Sequence, residues 1–177
     1  MEIDFRKKRY VLDGGMGTML QSAGMSPEET TTEFGLAHPE ILTEIHQKDM
    51  EAGSDIVYAS TFGTNRFKKK EMGDHSLEEA VRIQVEAAVT AKENMAAKGR
   101  EVAVALDLGP LGELLEPMGT LSFEDAYDAF REVIQAGCDM ADLIVVAPAT
   151  ANILAKAAQG LADDFLSTLL LAARSPV

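Results

Sequence analysis

The chain has no tryptophan, one cysteine, three histidines and six prolines in 177 residues. A single cysteine, Cys138, excludes an intrachain disulfide and a thiolate metal cluster within one chain. It precedes an apolar run and reads as a buried, inert thiol, which suits a reducing, cytoplasmic setting. His38, His46 and His75 follow no common metal-ligand spacing and read as surface or helix-cap residues. Basic residues are scarce: 16 Lys and Arg stand against 29 Asp and Glu, a formal charge of -13. Such a chain repels nucleic acid and anionic membranes unless it carries a local basic patch. The two basic runs, residues 6–9 and 66–70, are short and read as solvated surface. No apolar run approaches the ~20 residues needed to span a bilayer. The charged start, Met1-Glu2-Ile3-Asp4-Phe5-Arg6, is not a secretory signal. Neither nucleic acid nor membrane is expected as a partner.

What is present suits a folded α/β domain. Apolar residues make up 46% of the chain and charged residues 25%, and the length fits one domain over residues 1–177 with a sizeable core. Short apolar strands are expected at residues 10–13, 55–60, 102–108 and 141–147. Helices are expected at 16–22, 39–52, 77–98, 122–136, 151–158 and 163–173. Pro39 sits at a helix start and Gly53 at its end. Leu77, Ala80, Val81, Ile83, Ala87 and Ala91 keep one face of the longest helix apolar. Strands alternating with helices argue for parallel βα units with four main strands.

Folds of this kind place ligands at the carboxyl ends of their strands. Asp13-Gly14-Gly15-Met16-Gly17-Thr18 follows the first strand, and its glycines let a ligand approach the backbone. The spacing is neither a dinucleotide fingerprint nor a phosphate-binding loop with a Lys-Ser/Thr pair. Ser60 to Asn65 closes the second strand, where Thr61 and Asn65 can hydrogen-bond a small polar ligand and Phe62 can wall it. Asp107, in Asp107-Leu108-Gly109-Pro110, is a ligand contact or a capping residue. Pro148, Thr150 and Asn152 follow the fourth strand, and Thr150 or Asn152 can cap the next helix.

The segment from Tyr10 to Gln21, YVLDGGMGTMLQ, resembles the start of the homocysteine-binding barrel of cobalamin-dependent methionine synthase and betaine–homocysteine methyltransferase. His38 to His46, Glu51 to Asn65, Ala105 to Gly112 and Leu114 to Gly119 follow in that family's order, over residues 8–137. The resemblance implies that Asp13 and the glycines after it, Gly14, Gly15 and Gly17, help hold the amino-acid end of homocysteine, with Thr61 and Asn65 at the same mouth; Thr18 and Asp107 stand beside them as candidate ligand contacts from their place at strand ends. It also implies zinc held by cysteines from late strands. Cys138 does not supply that set, and the chain ends before those strands are expected, so no metal ligand is assigned.

Residues 141–177, ADLIVVAPATANILAKAAQGLADDFLSTLLLAARSPV, are similar to the phosphopantothenoylcysteine decarboxylase flavoproteins, which have a flavodoxin-like fold. That resemblance places Pro148, Thr150 and Asn152 beside FMN as remnants of a flavin site. Two resemblances meeting near residues 137–141 imply a recombined or engineered chimera. The expected architecture is half-TIM-barrel-like with a flavodoxin-like C-terminal unit; the alternative is a small open flavodoxin-like sheet. The expected role is a structural scaffold without catalysis or a bound cofactor. The alternative is a homocysteine S-methyltransferase-like protein, or residual binding of a small amino acid or of FMN. Unpaired strand edges would be closed by a homodimer, with a monomer as the alternative.

Overall fold

The computed structural model describes residues 3–4, 6–143, 155–156 and 158–161. Five α-helices dominate them: α1 (Met16–Ser22), α2 (Thr31–Ala37), α3 (Pro39–Ala52), α4 (Leu77–Ala97) and α5 (Phe123–Gly137). A kinked 3₁₀ segment spans Arg66–Met72. Among the described residues only two regular strands form, β1 (Ile56–Tyr58) and β2 (Ala103–Ala105), paired in parallel with Ile56 opposite Ala103 and Tyr58 opposite Ala105. No helix among the described residues is long and apolar enough to cross a membrane.

Helix ends follow local chemistry. Thr30 and Glu33 form a reciprocal capping box at α2, and Ser76 and Glu79 form another at α4. Each satisfies N–H groups that the first helical turn leaves free. Pro39 occupies the first turn of α3, and Gly53 ends it at φ 130°, a conformation that favours glycine. Ser122 caps α5 by accepting from the Asp125 N–H at 3.0 Å.

The two strands divide the core by their alternation. Val57 and Val104 face one way, into a cluster with Val81, Val85, Ala88 and Ala91 of α4 and Val133 of α5. Ile56, Ala103 and Ala105 face the other way, with Leu143, Ile3 and Tyr10. The alanines along α4 keep it close to the sheet. Leu20, Phe34, Leu42, Ile45 and Ala87 make a second cluster joining the first four helices.

The expected half-barrel of four main strands is overturned, and so is the small open flavodoxin-like sheet. Beyond the two strands, the expected outer strands contribute single parallel bridges, Leu12 to Ile56 and Ala105 to Leu143. Carboxylates take the place of strand carbonyls at these edges. Asp55 accepts from the Val11 N–H at 3.0 Å, Asp13 from the Tyr58 N–H at 2.9 Å, and Asp142 from the Val104 N–H at 2.8 Å. A strand N–H held by a side chain is not available to extend a ladder. Lys92 anchors Asp142 in turn through both carboxylate oxygens, at 2.6 and 2.7 Å.

Two single-residue expectations also fail. Cys138 is exposed, because it caps the C-terminal end of α5 rather than entering a buried strand. His46 is fully buried, because it falls on the apolar stripe of α3 with Leu42, Ile45 and Met50. Neither His46 ring nitrogen has a hydrogen-bond partner among the described residues. Burial lowers its pKa to about 4 from an ordinary 6.5. The unfolded chain therefore binds the extra proton first, and stability falls as pH drops below about 6.5 towards 4. Urea melts at pH 7 and pH 4.5 should show His46→Leu losing about 2–3 kcal/mol less than the parent over that interval. Equal losses in the two proteins would show that His46 does not drive the acid limb.

Candidate functional site

Three of the four expected strand-end segments lie within the described residues, and all three meet at one cleft together with β1. The cleft has a volume of about 310 Å³ and is bounded by the run from Asp13 to Gly17, by Tyr58 to Ser60 with Phe62, by Thr31 of α2 and by Asp107. No Lys, Arg or His lines it among the described residues. The first strand leads into it through Leu12, and Asp13 is fixed there by the Tyr58 N–H.

Its electrostatics are set by carboxylates held partly out of water. Burial raises the pKa of Asp13 to about 6, against the lowering effect of the Tyr58 N–H, and the charges of Asp49 and Asp107 add to the rise. Burial likewise raises Asp107, with the Leu108 N–H opposing it. Asp49 of α3 is raised by burial while it accepts from the Gly14 N–H. Burial, and then the charges of Asp107 and Asp13, push the Tyr58 phenol up, so at neutral pH it stays a hydrogen-bond donor. The cleft is thus an acidic surface with an electrostatic deficit that a bound cation would relieve.

The residues picked from sequence separate into two groups. Asp13, Gly14, Gly15, Gly17 and Asp107 line the cleft. Thr18 does not; its hydroxyl donates to the Gly15 carbonyl at 3.0 Å. Thr61 is buried and works as a strut: its hydroxyl donates to the Asp107 carbonyl at 2.7 Å and accepts from the Asp107 N–H at 3.2 Å. Asn65 is buried and caps the 3₁₀ segment by accepting from the Phe67 N–H at 3.0 Å. Pro148, Thr150 and Asn152 lie outside the described residues. Tyr58, Thr31 and Asp49 were not singled out from sequence. Asp49 was legible, since it stands seven residues after Leu42, at an apolar position of the α3 stripe.

The loops that carry Asp107 and Phe62 touch backbone to backbone. A Cβ on Gly109 would come within 2.1 Å of the Phe62 carbonyl oxygen. Only glycine allows that approach.

A zinc ion does not fit the described residues. No three His, Cys, Asp or Glu side chains among them gather to hold a metal. Cys138 does not line the cleft.

Fold and cleft together define a helix-rich protein with a small, acidic cleft at the ends of parallel strands. The sequence profile of the homocysteine S-methyltransferase family matches residues 10–170, and the chain belongs to that family. The metallated form of the homocysteine methyltransferase MmuM from Escherichia coli has a similar fold, with a TM-score of 0.66 at 22% identity over 78% of this chain and 54% of that one. Methionine synthase of Mycobacterium tuberculosis is 29% identical over 156 residues, 81% of this chain and 13% of that protein. The coenzyme A biosynthesis bifunctional protein CoaBC of Bacillus subtilis is 67% identical over 39 residues, 22% of this chain and 10% of that protein. The chain spans about half the length of the solved methyltransferase and a smaller share of the curated relatives.

The family match crosses residues 137–141 without a break. It overturns the reading of the chain as a chimera joined there, whether recombined or designed. It also overturns the expectation of a scaffold without catalysis, because the family is one of enzymes.

Two substitutions test the cleft. Asp13→Asn keeps an oxygen for the Tyr58 N–H but removes the charge. A raised carboxylate pKa destabilises the fold above its folded value, so stability is lost as pH rises from 3.8 through about 6. The variant should be more stable than the parent at pH 7.5 by on the order of 1–2 kcal/mol, the full shift being reduced by solvent at the cleft mouth. That advantage should vanish near pH 4 in paired urea titrations. Gly109→Ala should destabilise the protein by more than ~2 kcal/mol in the same melts, because backbone has to move; a neutral effect would contradict the close approach.

Proposed function

We propose that the chain forms the amino-acid-binding part of a homocysteine S-methyltransferase, with the cleft receiving the ammonium end of homocysteine. The observation that carries this reading is the meeting of Asp13 and Asp107 at one small cleft that no basic side chain among the described residues lines. An ammonium group between them supplies the missing positive charge and favours their ionised forms. Tyr58 lines the same cleft, and the glycine run leaves room for the ligand's backbone-like end. Membership of the family and the shared fold with MmuM support homocysteine as the ligand.

In this reading the described residues bind and orient the acceptor. Asp13 changes its proton occupancy as the ligand arrives. With its pKa near 6, Asp13 is mostly protonated at pH 5 and mostly ionised at pH 7.5. The ligand ammonium stays charged throughout that range. Thr61 holds Asp107 in place through its backbone, so the spacing of the two carboxylates is set by the sheet.

Isothermal titration with L-homocysteine tests the proposal. Affinity should rise about tenfold from pH 5 to pH 7.5, following the ionisation of Asp13. Asp13→Asn should remove that rise, and 4-mercaptobutanoate, which lacks the amine, should bind far more weakly. Equal binding of the two compounds would sink the ammonium reading.

A further inference from the structure

We propose that Gln84 is a positioning residue for the cleft: through Thr64 it holds the loop of residues 60–65 so that Ser60 and Phe62 form the cleft wall. The inference rests on reading the cleft as the ligand site.

Gln84 is the one polar side chain among the buried residues of α4, where it sits between Val81, Val85 and Ala88 on the apolar stripe. Its Nε2 donates to the Thr64 hydroxyl oxygen at 2.8 Å and to the Ala80 carbonyl at 2.9 Å. Its Oε1 has no hydrogen-bond partner among the described residues. A buried amide left half satisfied costs stability that Met or Leu in the same stripe avoids. Core packing therefore does not explain glutamine here, whereas the bond to Thr64 does.

That bond is one of three ties on the inner side of the loop. Thr61 is bonded to the backbone of Asp107. Gly63 lies against α2, where an added Cβ would stand 2.6 Å from the Thr32 hydroxyl oxygen. Thr64 is bonded to α4. Ser60, just before the first tie, and Phe62, between the first two, line the cleft. Phe62 stays half exposed at the mouth, with no large buried surface of its own to fix it. Its backbone rests against Gly109, and the tied residues on either side keep it there, so small displacements of this ligand-contacting wall translate into large losses of binding.

The test compares the parent with Thr64→Ser and with the double variant Gln84→Met/Thr64→Val. The double variant removes both polar partners at nearly constant volume, a replacement that is close to neutral for folding. Three quantities are read: melting temperature, hydrogen exchange at the Thr61 and Thr64 amides, and affinity for L-homocysteine. Both amides are bonded within the loop, to the carbonyls of Ala59 and Thr61. The double variant should melt within a few degrees of the parent. Its two loop amides should exchange about tenfold faster while α3 and α4 keep their protection. Its affinity should fall about tenfold, and Thr64→Ser should match the parent. A folded double variant with parental loop exchange and affinity overturns the proposal. So does a lower melting temperature with exchange raised evenly across the protein, which marks a packing role. If the parent itself does not bind L-homocysteine, the functional reading fails, and the loop exchange alone decides the positioning claim.

Discussion

The hydrogen bond from the Tyr58 N–H to the Asp13 carboxylate is the contact on which the rest of the arrangement turns. It joins residues 45 apart in sequence and closes the edge of β1 where a further strand carbonyl would otherwise sit. It draws the glycine run against Tyr58 and so creates one side of the cleft. It also keeps the carboxylate in a half-buried position, where burial raises its pKa to about 6 although the Tyr58 N–H itself favours the ionised form. One interaction thus ends the sheet, shapes the site and tunes its charge. The cost is a half-buried acid next to Asp49 and Asp107, which the positive charge of the proposed ligand would offset.

The same device recurs at the other edges. Asp55 holds Val11, and Asp142 holds Val104 while Lys92 balances its charge. Side-chain capping of strand edges keeps the sheet small and leaves most of the packing to the helices. Alanines on α4 let that helix lie close to Val57 and Val104, and the capping boxes of α2 and α4 fix where the helices start. The loops after β1 and β2 then meet over Gly109, so the cleft inherits its rigidity from backbone contact.

The helices were legible because their signals are local. The 39–52, 77–98 and 122–136 expectations match α3, α4 and α5 within about a residue at each end. Helix α2 was not among the expected helices, although Thr30 and Glu33 spell a capping box. The strands at 10–13 and 102–108 were read too long: apolar runs show where a strand is comfortable, not which side chains will occupy its N–H groups. His46, Asp49 and Gln84 share another lesson. Each is a polar residue on an apolar helical stripe, and that position, not its neighbours in sequence, signalled the burial of His46 and Gln84 and the partial burial of Asp49. In the site, Asp13, Asp107 and the glycines could be found from strand ends. Tyr58 could not, because its part depends on a backbone N–H and on charges that only the fold brings near. The resemblance of residues 141–177 to flavoproteins suggested a join that the family match does not observe.

The central claim is that Asp13 is a half-buried, ammonium-receiving carboxylate, and carbon-13 detected NMR titration of its side-chain carboxyl addresses it most directly. The account predicts a midpoint near pH 6 in the free protein and a clear fall when saturating L-homocysteine is added, because the ammonium favours the ionised form. A midpoint in the ordinary aspartate range, or one that the ligand leaves unmoved, would contradict it.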